Sequence, residues 1–337
     1  MKKKILAIGI IAMLALGVGL VVAQENLAKK NEAESTGGIP EAGVSETELN
    51  QLIEAAEIDN FIDPVSNEID ATRLKDFQTP VEKIVEKLKS NGHSEIEIVG
   101  ILKEHDMGYY PETGATWIGR QPTSEELQTL PPRDYPFGDE LSISSRDEQR
   151  NRVMETVYYY YQGINNKMKP GSLAIEEDES TTHLATTHVG RGGHWTEAGV
   201  VRWLENTNWN LFTYDDDEGQ WSFHGTTTAG TFNGYIIYVY PSGNYLYNIW
   251  IDGNWKRQGH LPYFDNKVDQ ANEVWSDTLT YTDDTNRADH KDPFLYVDDG
   301  AVWWNGEIPS NWRGSNPVRE THYISGSAWR FQTWVDN

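Results

Sequence analysis

The order of hydrophobic and polar residues divides the chain into two regimes. In the first, apolar residues recur at helical spacing behind start signals. Ser45-Glu46-Thr47-Glu48 reads as a capping box ahead of "LNQLIEAAEI". Thr79-Pro80-Val81-Glu82 is a second, with proline at the favoured first position. The helix behind it places Val81, Ile84, Val85 and Leu88 on one stripe, and Asn91-Gly92 stops it. Ser94 to Glu97 starts a third helix, with Ile98, Ile101 and Leu102 on one side and a stop near Gly108. From about Val153 the period falls to two. "VMETVYYYYQGI" is rich in strand formers, and "YIIYVYPSGNYLYNIWIDGNW" reads as two strands joined by Pro241-Ser242-Gly243-Asn244. "FLYVDDGAVWWNGE" turns at Asp298-Asp299-Gly300, and short strands recur through "SAWRFQTWV". Many strands with local turns predict a mainly β protein, an antiparallel β-sandwich preceded by a small helical region. No internal repeat is visible. The predicted bounds are a helical segment at 24–118, a linker at 119–150 carrying Pro122, Pro131, Pro132 and Pro136, and the sandwich at 151–337.

The N-terminus adds a destination. Three lysines precede an apolar run from Ile5 to Ala23, and Val21 and Ala23 suit a signal-peptidase site before Gln24. Residues 1–23 read as a signal peptide, or as a membrane anchor if uncleaved. Either reading puts the remainder outside the cytoplasm, and secretion is the expectation. Polar residues with Gly and Pro from Gln24 to Gly43 read as a flexible leader.

Charge and composition then remove options. A formal net charge of -24 and a pI near 4.7 argue against nucleic-acid phosphate or anionic lipid as partner. The absence of cysteine excludes a thiol nucleophile, disulfides and a Cys-ligated metal. No nucleophile elbow, P-loop, zinc-peptidase helix or dinucleotide fingerprint is present. His183, His188 and His194 fit no metal spacing on one strand face and read as solvated or structural. The acidic stretches Asp215 to Gly219 and Asp283 to Asp292 offer oxygen ligands for calcium, but they lack EF-hand spacing and read first as solvated loop tips. No metal and no cofactor is expected.

Chemistry is left to carboxylates on strands. In "GGHWTEAGVVRW", alternation puts Trp195, Glu197, Gly199, Val201 and Trp203 on one face, apolar but for Glu197. In "DQANEVWSDTLTY", Ala271, Glu273 and Trp275 share a face. Two glutamates meeting across an aromatic groove do not both ionise easily, so they share a proton. One then deprotonates a water while the other donates to the oxygen that gains charge. Glu197 and Glu273 are the candidate catalytic pair, with Trp195, Trp203, Tyr214 and Trp275 as candidate substrate-binding residues.

Around these residues the chain resembles neprosin-type glutamic peptidases. Glu197-Ala198-Gly199 followed by Leu211-Phe212-Thr213-Tyr214 is similar to the first catalytic region of that family, and Glu273-Val274 to the second. "YLYNIWIDGNWKRQGHLPYF" lies between them in the family's order, and "VYYYYQGINNKMKPG" and "THLATTHVG" resemble its opening strands. The likeness runs from about Val153 to Gly306. The related fungal glutamic peptidases carry Gln where this chain has Glu197. The resemblance implies a jelly-roll-like sandwich and peptide-bond hydrolysis in acid, with Glu197 and Glu273 as the dyad and the roles of base and acid open. Val200 follows Glu-Ala-Gly where the plant proteins carry Trp, and Ala271-Asn272 precedes Glu273 in place of Gly-Gly.

With that family in view, the N-terminal third reads as an inhibitory pro-segment covering the groove, and the Pro-rich stretch 119–138 as its cleavage zone. The expected partners are a polypeptide substrate and the chain's own pro-segment. Rival readings are a carbohydrate-binding module, in which Trp209 and Trp303-Trp304 stack on sugars, a glycoside hydrolase built on the same two carboxylates, or a structural surface protein.

Overall fold

The computed structural model describes residues 38–63, 69–131, 133, 148–155, 161–171, 182–203, 206–241, 244–264, 266–275, 288–297, 300–304, 319–323 and 330–335. The signal or anchor segment, most of the flexible leader, Pro132, Pro136, the acidic loop at 283–287 and the turn residues 242–243 and 298–299 lie outside them. Among the described residues no helix is long and apolar enough to cross a membrane. The chain forms two compact units, Met1–Gln51 and Leu52–Asn337. In the first, a short turn of helix at Pro40–Ala42 ends on Gly43 in the left-handed region (φ 67°). The helix Glu46–Glu54 begins there, and the Glu48 amide donates to Ser45 Oγ at 3.2 Å.

The second unit opens with helices whose sequence signals act as written. Pro80–Ser90 and Glu95–Glu104 both start with closed capping boxes, on Thr79/Glu82 and Ser94/Glu97. Val81, Ile84, Val85 and Leu88 form the buried stripe of the first helix, and Ile98 and Leu102 that of the second. Sixteen strands are described. They are β1 (Met107–Tyr109), β2 (Thr116–Ile118), β3 (Glu148–Glu155), β4 (Gly163–Lys169), β5 (Thr182–Arg191), β6 (His194–Trp203), β7 (Asn206–Asp215) and β8 (Gln220–Thr227), followed by β9 (Asn233–Val239), β10 (Leu246–Ile251), β11 (Asn254–His260), β12 (Lys267–Trp275), β13 (Ala288–Val297), β14 (Gly300–Trp303), β15 (Arg319–Tyr323) and β16 (Arg330–Val335).

They build two sheets, and every pairing of named strands is antiparallel. One runs β1-β2-β11-β10-β9-β4-β13-β16-β15, with β14 also on β13; the other runs β3-β12-β5-β6-β7-β8. The expected mainly β, antiparallel sandwich is the observed architecture. The core lies between the sheets. Ala185, Val189, Ala198, Val200, Leu211 and Val268 from the six-stranded sheet meet Ile164, Tyr235, Ile237, Tyr247 and Ile249 from the other. Each valine, leucine or isoleucine among them contributes roughly 1.5–3 kcal/mol on leaving water. The β10–β11 hairpin turns on Asp252 (φ 50°) and Gly253 (φ 81°), and two successive left-handed residues match the twist of paired strands.

The segment read as purely helical also supplies sheet. β1 pairs with β2, and β2 lies along β11 through Trp117 and Thr116. Thr79 Oγ1 and Thr116 Oγ1 lie 3.1 Å apart, tying the start of a helix to the same edge. Strands of three residues carry too little alternation to be seen in the sequence.

Candidate active site

The site is on the outer face of the six-stranded sheet, the face turned away from the inter-sheet core. β5 is its middle strand, flanked by β6 and β12. Register decides what meets there. His188 of β5 pairs with Glu197 of β6 and with Asp269 of β12. Leu184, four residues earlier and on the same face, pairs with Val201 and Glu273. Gly199, two residues beyond Glu197, has no room for a side chain: a Cβ would stand 2.3 Å from the Ala185 carbonyl oxygen. The glycine of Glu197-Ala198-Gly199 thus lets β6 lie close on β5.

Glu197 and Glu273 are both wholly buried. Two isolated carboxylates in that setting would be costly, and a cation meets them. Arg133, from the Pro-rich segment before the sandwich, donates from Nη2 to Glu197 Oε2 at 2.5 Å and from Nη1 to Glu273 Oε2 at 2.7 Å. Its side chain is 1% exposed, and the guanidinium lies 5.7 Å from the centre of the Trp221 ring. Burial opposes its charge, but the two carboxylates outweigh that and hold it protonated. Burial likewise raises the Glu197 carboxyl, yet the charges of Arg133 and His188 prevail and hold it below the usual carboxylate range.

His188 completes the cluster. Its Nε2 lies 2.5 Å from Glu197 Oε2 and 3.7 Å from Glu273 Oε1, and its Nδ1 is hydrogen-bonded to Asp269 Oδ1. Of the two sequence readings of His188, solvated or structural, the first is corrected here: it is fully buried against the glutamate pair. Burial works against its charged form, Asp269 and Glu197 outweigh burial, and the imidazole is pushed up to about 9.

Aromatic residues wall the face. Trp195, Trp203 and Tyr214 cluster with Leu184, Val201, Phe212, Trp221 and Phe223. Trp195 packs on Tyr214 with ring centres 5.8 Å apart, and Trp203 stacks on Phe223 at 5.3 Å. Burial first and the Glu197 charge second push the Tyr214 phenol up to about 12. Trp275 ends β12 opposite Thr182; its side chain lies outside the described residues. Leu130, three residues before Arg133, is buried in this cluster. The Arg120 backbone bridges to Phe223. The segment expected to be an extended linker therefore contains a short helix, Glu126–Thr129, and lies across the aromatic face. The three candidate aromatics described here are covered by the chain itself.

Two other expectations are revised. Trp209 and Trp304, assigned to sugar stacking in the carbohydrate-binding reading, are buried in the inter-sheet core, and the Trp303 side chain lies outside the described residues. In the Asp215 to Gly219 stretch, read as a solvated tip, Asp215 is buried and accepts a hydrogen bond from Tyr247 Oη. Asp217 does lie at the surface, 2.6 Å from His194 Nδ1, with Asp216 close by.

Arg133 and Asp269 escaped the sequence reading. Asp269 carried a signal, being four residues before Glu273 and so on the same face. Arg133 carried none, since its partners are 64 and 140 residues away.

No protein-family profile matches the chain, and no curated protein sequence does. Solved structures do. Scytalido-glutamic peptidase, bound to a peptide-based transition-state analog, is similar with a TM-score of 0.40 and 7% identity, covering 57% of this chain and 99% of that one. A peptidase of the eqolisin family in complex with the tripeptide Ala-Ile-His gives 0.36 and 7%, with the same coverage. An alginate lyase from Pseudomonas aeruginosa gives 0.31 and 12%, covering 69% of this chain and 90% of that one.

Proposed function

We propose that this chain is the latent precursor of a secreted, acid-acting endopeptidase whose reacting groups are Glu197 and Glu273. One observation carries the reading: two glutamates from non-adjacent strands, both fully buried, converge on a single guanidinium from the segment that precedes the sandwich. A stable fold gains little from such an arrangement. Burying ion pairs is close to neutral against apolar packing, while losing one partner is expensive.

With Arg133 displaced, the two carboxyls share a proton, and the pair is equipped for hydrolysis. The ionised carboxyl takes a proton from a water as the water oxygen bonds to the peptide carbonyl carbon. The protonated carboxyl gives its proton to the carbonyl oxygen, forming a gem-diol. The first carboxyl then delivers its proton to the amide nitrogen as the C–N bond breaks. The second takes back a hydroxyl proton as the new carboxyl forms, which restores the pair. Trp195, Trp203 and Tyr214, with Trp275 at the end of β12, would flank an extended substrate.

Acid loosens the segment, and cleavage releases it. The folded Glu197 carboxyl is held below its usual value of 4.5. The ion pair with Arg133 therefore contributes stability above that value, and the contribution is lost as pH falls through the lower, folded value. Cleavage in the linker would then remove Arg133 for good, and activity would need a pH at which Glu197 is ionised again.

The test is digestion of a denatured protein at about pH 3–5, where one carboxyl of a pair is protonated, with a polysaccharide panel alongside. Wild type should cut polypeptide after acid treatment. Glu197→Gln and Glu273→Gln should each lower the rate by at least about a thousandfold while preserving the fold. Full activity in Glu273→Gln, or cleavage of polysaccharide alone, would sink the proposal.

A further inference from the structure

Arg133 is one of two cations on Glu197, and only the other is built into the sheet. His188 stands on β5 between the strands that carry Glu197 and Asp269, in register with both. Each of its ring nitrogens faces a carboxylate oxygen: Nδ1 that of Asp269, and Nε2 that of Glu197 at 2.5 Å. Ionised carboxylates only accept hydrogen bonds, so an imidazole that serves two of them carries a proton on each nitrogen. Arg133 Nη2 lies 3.2 Å from His188 Nε2. Both nitrogens are then donors, and they converge on Glu197 Oε2 rather than bonding to each other. The opposite arrangement, a bare Nε2 accepting from Arg133, would press its lone pair against Glu197 Oε2.

We propose that His188, oriented by Asp269, is a positioning residue that keeps Glu197 ionised once Arg133 has left, and so makes Glu197 the base that activates water. This rests on the peptidase reading of the glutamate pair. The reasoning is one of proximity. The charged groups that face His188 among the described residues are Glu197 from β6, Asp269 and Glu273 from β12, and Arg133 from the preceding segment, with the Tyr214 phenol of β7 beyond Glu197. When Arg133 departs, His188 stays, and it lies nearer Glu197 (2.5 Å) than Glu273 (3.7 Å). The negative charge settles on Glu197, and the shared proton falls to Glu273. Glu197 Oε2 is taken up by the imidazolium. Oε1, which carries no hydrogen bond among the described residues, is the oxygen that receives the proton from water. Below neutral pH an imidazolium is the ordinary state, and the carboxylates around it extend that state upward. His188 is thus charged throughout the acid range in which the enzyme would work.

The experiment has two readouts on the full chain. The first is nitrogen NMR of labelled histidine in wild type and in Arg133→Gln, with His188→Gln giving the assignment. Both nitrogens of His188 should be protonated at pH 7 in both proteins. A neutral ring at pH 7 in Arg133→Gln overturns the proposal. The second is the pH–rate profile of acid-treated chain on a denatured protein. Loss of the positive charge makes Glu197 harder to ionise, so His188→Gln should move the acidic limb upward by about one pH unit and lower kcat about tenfold or more. Asp269→Asn should move the same limb in the same direction by less. An acidic limb in His188→Gln that coincides with wild type, however low the rate, means a structural role and defeats the inference while leaving the dyad intact. Movement of the alkaline limb instead assigns the base to Glu273 and also defeats it. A wild type with no peptidase activity at any pH defeats the dyad reading itself, and the base role with it.

Discussion

His183 and His188 lie five residues apart on the same strand, both fully buried, and are opposites in charge. An odd separation turns them to opposite faces. His183 points into the inter-sheet core, where its Nε2 meets the Asn272 amide oxygen at 2.5 Å and its ring packs edge-on against Trp209. Burial drives it down to about 4, and the hydrogen bond to Asn272 offsets only part of that. His188 points to the outer face and meets Asp269 and Glu197, which overcome the same burial and push it up to about 9. Burial alone therefore does not set a buried histidine's charge; the neighbour across the strand does. On the inner face His183 meets a neutral amide. The outer face gathers two cations and three carboxylates with fully buried side chains, an arrangement that adds little to stability.

The largest expected effect comes from removing the cation that reaches the outer face from outside the sheet. Arg133→Gln leaves two buried carboxylates without their shared partner, at a cost of about 3–5 kcal/mol to the docking of the segment that carries it. Amide exchange over residues 119–131 at pH 7 should accelerate accordingly; unchanged protection would mean that apolar contacts, Leu130 foremost, hold the segment and charge does not.

Next comes the pH dependence of stability, where the two histidines predict opposite windows. The folded value of His183 is depressed, so the unfolded chain takes the proton first, and stability falls between pH 6.5 and about 4. The folded value of His188 is raised, so its contribution is present below pH 6.5 and lost as pH climbs to about 9. Each window spans on the order of 3 kcal/mol. Urea midpoints at pH 4.5, 6.5 and 9 should show His183→Gln relieving the acid loss and His188→Gln abolishing the alkaline one. Identical pH dependence in the two variants would break the comparison.

The smallest and sharpest test converts one face's chemistry into the other's. Asn272→Asp gives His183 a carboxylate neighbour like Asp269, and should raise the pH at which it takes up its proton by about 1–3 units, read by NMR. A ring that still titrates near its present value would show that depth, not partner, controls it.

Parts of this arrangement were legible in advance for local reasons. Capping boxes at Thr79 and Ser94 are contained within four residues, so the sequence shows them whole. The shared face of Trp195, Glu197 and Trp203 follows from the period of a strand, and so does the separation of Glu273 from Asn272. The turn at Asp252-Gly253, by contrast, lies inside a stretch read as one strand, which the structure divides into β10 and β11. What stayed hidden was non-local. Nothing near Arg133 marks it, because its partners come from β6 and β12. His188 looked ordinary because alternation tells which side chains share a face but not which strand lies beside it. The strands β1 and β2 were hidden by their brevity.

Residue order by itself thus determined the strand class, the helix starts and the placing of each glutamate on an aromatic face, since all of these depend on neighbours within a few residues. Only the tertiary structure decided that β5 lies between β6 and β12, that His188 and Arg133 meet Glu197 there, and that His183 does not. Those outcomes rest on sheet order and register, which are set by the packing of the whole core. At these burial depths, the position of a charge relative to its partners governs its protonation more than the identity of the residue that bears it.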